Sequence, residues 1–105
     1  MLVRALTASS GGGQIYDVTS IDSSGVVNVG FPMKTFIVIE PTSSGTHANV
    51  WVDSDPTNYQ EYFRDQVYTN AVGGTNALQS VSADKTSFSW RSDYYSRVKR
   101  VIAFG

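Results

Sequence analysis

The residues that could perform catalysis are few in this chain and lie far apart in sequence. The only histidine is His47, and the only two glutamates are Glu40 and Glu61. A serine nucleophile needs a histidine and an acid, which His47 and Asp53 or Asp55 could supply, but the Gly-x-Ser-x-Gly turn that presents such a serine is missing. Nothing in the spacing of the glutamates marks them as the carboxylate pair of a glycoside hydrolase. We therefore predict no catalytic residues and a protein that is not an enzyme.

Metal and cofactor chemistry has little support in the residue pattern. The chain has no cysteine, which excludes disulfides, thiolate zinc sites and a cysteine nucleophile. The segment Asp53–Asn58 begins like a calcium loop, but its twelfth position is Arg64 instead of a chelating glutamate. A weak calcium site at Asp53 and Asp55 stays open, beside the simpler interpretation as a turn before Pro56. We predict no metal and no cofactor.

Aromatic residues offer a different kind of chemistry, the stacking of sugar rings. Four of the eight basic residues lie between Arg91 and Arg100, interleaved with Tyr94 and Tyr95. Flat rings with a polar tip suit the face of a glycan. The alternative interpretation is a solvated strand face in front of an aromatic core. The candidate stacking residues are Trp51, Tyr59, Tyr62 and Tyr95.

Charge and hydropathy argue against two classes of partner. The formal net charge is −1 at pH 7, so no positive field attracts nucleic acid or an anionic membrane. The longest apolar stretch, Phe36–Ile39, is much shorter than the ~20 residues that span a bilayer. Residues Met1–Ala8 lack the apolar core of a secretory signal, so we expect no signal-dependent export. Nucleic acid and membrane are not predicted partners.

The composition predicts an all-β domain that would position these residues. The chain has 14 serines, 9 threonines and 13 valines but only 3 leucines, a balance that favours strands over helices. Ser-Ser-Gly turns at 9–11, 23–25 and 43–45 separate short apolar runs. Eight or nine short strands indicate an antiparallel β-sandwich or a jelly-roll-like barrel. We divide the chain into an N-terminal arm with a glycine-rich linker, residues 1–13, and one β domain, residues 14–105.

Alternation along the first half of the chain assigns strand faces. Val27, Val29 and Phe31 alternate with smaller or polar residues, so these three side chains should point inward. The run Thr35–Glu40 is apolar at nearly every position, which predicts a central strand closed by Pro41. A hairpin then joins it to the next apolar run.

The second half contains one clear hairpin and two longer runs. Leu78–Ser82 and Ser87–Arg91 flank a four-residue loop and predict a hairpin. The run Tyr59–Tyr68 fits a helix or a strand, and its aromatic content favours a strand. Tyr94–Phe104 predicts the last strand, in which Arg100 interrupts the inward pattern and needs a partner. The inward residues of that strand are predicted to be Tyr94, Val98, Ile102 and Phe104.

The last third of the chain, Ala77–Gly105, resembles small β-domains encoded among the structural genes of tailed bacteriophages. The resemblance lies in the serine-rich hairpin Gln79–Trp90 and in the closing segment Arg100–Gly105 with its Ile-Ala-aromatic-Gly pattern. It implies a non-enzymatic protein located in the virion, a head decoration or short tail component. It also implies a homo-oligomer, with a trimer favoured, and other virion proteins as partners. The alternative is a carbohydrate-binding β-sandwich module that attaches to a host glycan.

Contacts with neighbouring subunits or with the particle are expected at two places. The first is the N-terminal arm, and the second is the aromatic segment after the central hairpin. Burial of apolar and aromatic side chains would supply the contact energy. The predicted contact residues are Leu2, Val3, Leu6, Tyr59, Tyr62 and Phe63.

Overall fold

The computed structural model describes residues 13–105, which form two antiparallel β-sheets packed together. The prediction of an all-β fold is confirmed, and the arrangement is that of a β-sandwich. Within these residues no helix has the length and apolar character needed to cross a membrane. The predicted arm lies outside the described residues except for Gly13. The strands are β1 (Ile15–Val18), β2 (Val26–Asn28), β3 (Thr35–Thr42), β4 (Gly45–Val52), β5 (Asn58–Phe63), β6 (Gln66–Ala71), β7 (Leu78–Val81), β8 (Ser87–Trp90) and β9 (Arg100–Phe104).

The larger sheet has six strands in the order β1-β9-β3-β4-β5-β6, and the smaller sheet has three in the order β2-β8-β7. Strands β3 and β4 form the longest hairpin, with register from Thr35 opposite Val52 to Thr42 opposite Gly45. Contrary to expectation, Pro41 lies inside β3 and does not end it. On the β9 side of β3, the pairing ends at Ile39. No strand among residues 13–105 therefore needs a hydrogen bond from the backbone nitrogen of Pro41, which carries no hydrogen.

The core between the two sheets is apolar and aromatic. Val27, Val29 and Phe31 are buried, as their alternation predicts. The Phe36 ring of the larger sheet stacks on the Phe88 ring of the smaller sheet, with centroids 4.0 Å apart. On its own sheet Phe36 also stacks on Trp51 at 5.2 Å. The Phe36 ring therefore contacts rings of both sheets and helps to hold the two sheets together.

The aromatic run Tyr59–Tyr68 is extended, as favoured, but it is not one strand. It is divided between β5 and β6, which form an antiparallel hairpin with a turn at Arg64 and Asp65. Arg64 adopts a positive φ of 57° there. The expectation of a single strand was therefore wrong, because this turn contains no glycine or proline that would have indicated it.

The closing run also differs from its prediction. Its first part is a 3-10 helix, Ser92–Arg97, and only Arg100–Phe104 forms a strand. In that strand Val101 and Ala103 are buried, whereas Ile102 lies on the opposite face. Of the predicted inward set, Val98 is buried and Tyr94 packs against the core, so these two predictions are confirmed. Ile102 and Phe104 lie on the opposite face, because residues 98 and 99 are not part of a strand and the alternation does not continue through them into β9.

Candidate functional site

The first notable surface is the face of the larger sheet that is turned away from the smaller sheet, which we call the outer face. Alternate residues of each strand point to this side, and the cross-strand register brings them into rows. Most of them are apolar. The apolar residues of the outer face are Ile15, Ile37, Ile39, Pro41, Ala48, Val50, Val52, Tyr62, Val67, Ala71, Ile102 and Phe104.

An outer face of this composition is unusual for an antiparallel sheet, whose second face is commonly polar. Ile102, Ile37 and Val50 lie directly opposite one another on three adjacent strands. Val52 and Val67 are 39% and 58% exposed. Large exposed apolar patches on soluble domains are characteristic of sites that contact another molecule.

Polar groups border the outer face at both sides. Next to β1, the Arg100 guanidinium donates two hydrogen bonds to Asp17, at 3.0 Å and 2.8 Å. These bonds lower the pKa of the Asp17 carboxyl and supply the partner that Arg100 was predicted to need. Towards β6, the Thr69 hydroxyl donates to Gln60 Oε1 at 2.9 Å. An apolar centre with a polar rim is the usual anatomy of a protein interface.

The second notable surface is a polar cleft on the inner face of the larger sheet, next to Trp90 at the end of β8. It is a cavity of about 240 Å³, bounded by strands β3 to β6, the loop before β7 and the 3-10 helix. Polar side chains from these separate elements converge there. The polar cleft is defined by Glu40, His47, Asn49, Glu61, Asn70 and Arg97.

Glu40 lies at the buried end of the polar cleft and is only 6% exposed. Its Oε2 accepts a hydrogen bond from Trp90 Nε1 at 3.0 Å, and its Oε1 accepts one from Asn49 Nδ2 at 3.3 Å. Burial raises the pKa of the Glu40 carboxyl, although the Trp90 hydrogen bond opposes this shift. Among the described residues, every buried polar side-chain atom has a hydrogen-bond partner.

His47 and Glu61 form the second polar unit of the cleft. His47 Nδ1 lies 2.6 Å from Glu61 Oε2, and Asn70 Nδ2 donates to Glu61 Oε1 at 3.1 Å. The His47 ring also stacks on the Phe63 ring, with centroids 4.0 Å apart. His47 lies within strand β4, and its side chain is on the inner face of the larger sheet.

The acids that were considered as partners of His47 are engaged elsewhere. Asp53 Oδ1 lies 2.6 Å from Lys85 Nζ, and Asp55 Oδ1 accepts from Asn58 Nδ2 at 3.2 Å. The carboxylate beside His47 is that of Glu61. Between residues 13 and 105, no group of three or more His, Cys, Asp or Glu side chains is arranged to hold a metal ion.

The predicted glycan-stacking set does not form one surface. Trp51 is fully buried and Tyr59 is 4% exposed, so the prediction that they stack on a sugar is wrong. Tyr62 and Tyr95 are exposed, but Tyr62 belongs to the outer face and Tyr95 to the 3-10 helix. Two of the four aromatic residues thus belong to the core, and the other two lie on separate surfaces.

The predicted contact residues are also dispersed. Tyr62 lies on the outer face, whereas Tyr59 and Phe63 lie on the opposite side of β5. Burial of Tyr59 rules out the contact role predicted for it. The predicted contacts Leu2, Val3 and Leu6 lie outside the described residues.

Sequence reasoning missed both surfaces as units. Glu40 and Glu61 belong to different hairpins and are brought to one face only because β4 lies between β3 and β5. The burial of Glu40 could have been predicted, because it follows Phe36 and Val38 at every second position of β3 and therefore lies on the same face. It was missed because β3 is apolar on both faces, so its sequence does not show which face is buried.

Comparison of the chain with protein-family models, with curated proteins and with solved structures finds no match.

Proposed function

We propose that this chain is a non-enzymatic virion structural protein, a head decoration or short tail component, whose outer face is buried against further copies of itself in a homo-oligomer. The observation that carries this proposal is the apolar outer face. A sheet that packs on one side only has no reason to be apolar on both sides. Residues 13–105 supply one covering layer, the smaller sheet, and in this proposal the second layer comes from a neighbouring copy.

The centre of the outer face has the composition of an interface core. Ile102, Ile37 and Val50 carry no charge and no hydrogen-bonding side-chain group, so their burial incurs no penalty from an unpaired polar atom. Each square ångström of apolar surface removed from water contributes about 25 cal/mol. Specific interfaces bury roughly 1,600 Å² in total, which a face spanning six strands can supply.

The resemblance to bacteriophage structural domains involves this same surface. Its closing segment contains β9, which contributes Ile102 and Phe104 to the outer face. Repetition of one contact over a symmetric particle lets modest individual contacts stabilise the whole assembly. A trimer is the expected form of the isolated protein, and other virion proteins are its expected partners.

The test is the molar mass of the full chain in solution, measured by size-exclusion chromatography with light scattering. We expect an oligomer, with three copies as the expected number. The double variant Val52→Lys with Tyr62→Lys places two charges on exposed positions of the outer face and should give a folded monomer. The control variant Asn28→Lys changes an exposed strand position of the smaller sheet and should leave the oligomer intact.

Two outcomes would overturn the proposal. One is a monodisperse wild-type monomer at tens of micromolar chain. The other is an oligomer that survives the double variant with its circular-dichroism spectrum unchanged. If the wild type is monomeric and deletion of residues 1–12 lowers its Tm, the N-terminal segment covers the outer face instead of a second copy.

A further inference from the structure

The polar cleft is not needed for self-association through the outer face, because it opens on the opposite side of the sheet. We propose that it binds one ring of a neutral saccharide, a pyranose with adjacent hydroxyl groups. The proposal is independent of the structural role argued above. It rests on the carboxylates, amides and charges that converge on a cavity of about 240 Å³.

Both carboxylates of the cleft are fixed in place but keep free acceptor capacity. Glu40 accepts one protein hydrogen bond on each oxygen, and so does Glu61. A carboxylate offers about four lone-pair sites, so each retains roughly two for a ligand. Hydroxyl groups of a sugar are donors that fit such sites. Because Glu40 and Glu61 are held by other side chains, little ordering is left for the moment of binding.

The charges of the cleft favour an uncharged ligand. Two carboxylates, Glu40 and Glu61, face one guanidinium, Arg97, and one imidazole, His47. Opposite charges are interspersed, so neither an anion nor a cation meets a field of one sign. The Arg97 guanidinium lies 4.0 Å from the centre of the Tyr94 ring, which holds it at the edge of the cavity.

The cleft continues into a second polar depression of about 440 Å³. The two cavities share Thr42, His47 and Arg97 in their walls. Ser43 and Ser44, at the β3–β4 turn, add polar groups to the far side. This continuity provides space for a second ring, so a chain of sugars fits the surface better than an isolated small molecule.

An exposed aromatic residue lies next to Glu61 on the edge strand β6. Tyr68 lies directly opposite Glu61 in the register and therefore shares its face of the sheet. It is 43% exposed, in contrast to the buried Trp51 and Tyr59. The apolar side of a pyranose can pack on such a ring while its hydroxyls reach the carboxylates. Tyr68 thus replaces the stacking residues predicted from sequence.

The experiment is a two-dimensional amide NMR titration of the full chain with four methyl glycosides, those of glucose, galactose, mannose and N-acetylglucosamine, at millimolar concentrations. At least one glycoside should shift the signals of Asn49 and Asn70, including their side-chain amides. The shifts should saturate and give a Kd. Inorganic phosphate, added in the same way, should leave these signals unchanged.

Two variants and a matched control localise the binding. Glu61→Ala removes a ligand acceptor and should raise Kd at least about tenfold, while Tyr68→Ala should raise it less. Gln60→Ala changes the neighbouring residue on the other side of β5 and should leave Kd unchanged. A thermal melt of each variant shows whether the fold persists.

Three results would overturn the saccharide assignment. They are the absence of cleft shifts with all four glycosides, shifts caused by phosphate but by no glycoside, and an unchanged Kd in a folded Glu61→Ala variant. The Val52→Lys, Tyr62→Lys double variant separates the two proposals. It should bind the glycoside as the wild type does, whatever its effect on the oligomer.

Discussion

The two faces of the six-stranded sheet are built from the same strands but meet different surroundings. On β3 the inward residues Phe36 and Val38 are each 1% exposed beneath the smaller sheet. The alternating residues Ile37 and Ile39 are equally apolar, yet within residues 13–105 no strand or helix packs over them. A strand that is apolar on both sides requires two covering layers. Among residues 13–105, the smaller sheet covers one side of the larger sheet, and in the proposed assembly a neighbouring copy covers the other side.

The inner face itself changes character over two residues of the same strand. After Phe36 and Val38, the next inward position is Glu40, and there the aromatic core gives way to the polar cleft. Replacing Glu40 by an apolar side chain would leave the buried donor Trp90 Nε1 without its acceptor, which costs about 1–3 kcal/mol. Glu40 therefore holds the Trp90 indole in place, and the further role proposed for it is ligand binding.

The largest expected effect separates the covered inner face from the open outer face. Phe88→Ala should lower the free energy of unfolding by about 3–5 kcal/mol, because it removes a 2% exposed ring that stacks on Phe36. Val67→Ala, at a 58% exposed position of the outer face, should change it by less than about 0.5 kcal/mol in dilute, dissociated protein. Urea unfolding followed by fluorescence measures both. Equal losses would contradict the assignment of the core to one side.

An intermediate effect tests how closely the strands of the covering sheet approach each other. Gly25 has a φ of +77°, and a Cβ there would lie 2.2 Å from the Trp90 carbonyl oxygen. Gly25→Ala should therefore cost more than the ~1–2 kcal/mol of the left-handed conformation alone. The control is Gly30→Ala, whose φ is +90° and whose Cβ would meet no atom within 4 Å. Denaturant titration should give Gly25→Ala a clearly lower free energy of unfolding than Gly30→Ala. Equal values would contradict the close approach of Gly25 to the Trp90 carbonyl group.

The smallest effect concerns the polar end of the inner face and depends on pH. Since burial raises the pKa of Glu40 in the folded state above its unfolded value of about 4.3, folding takes up a proton between these two values. The contribution of Glu40 to stability is thus most favourable below pH 4 and declines as the pH rises through the folded pKa. Glu40→Gln removes this decline.

The corresponding measurement is urea unfolding of the wild type and of Glu40→Gln at pH 4 and pH 7. The variant should gain stability relative to the wild type on going from the lower to the higher pH. Subtracting the free energy of unfolding of the variant from that of the wild type cancels the contributions of the other carboxyl groups, which are the same in both proteins. A relative gain in the opposite direction would show that the native pKa of Glu40 is lowered instead.

The local residue pattern was sufficient to predict much of the fold, but it was not sufficient to predict the outer face or the polar cleft. The alternation of Val27, Val29 and Phe31 and the hairpin around residues 83–86 depend on near neighbours, so the sequence predicted them correctly. The turn at Arg64 contains no glycine or proline, and the helix Ser92–Arg97 lies in a run whose residues alternate like those of a strand, so both were missed. The polar cleft was missed because the order of the strands in the sheet, which the local pattern does not reveal, brings Glu40 and Glu61 of different hairpins to one face.

The most direct test of the central claim is the accessibility of the outer face in the native assembly. Because the chain has no cysteine, Val52→Cys introduces a single thiol on that face, and Asn28→Cys introduces a reference thiol on the smaller sheet. The rate of maleimide labelling should be low for Val52→Cys at high protein concentration and should rise on dilution, while that of Asn28→Cys stays constant. Labelling of Val52→Cys at the reference rate at every concentration would contradict a buried outer face.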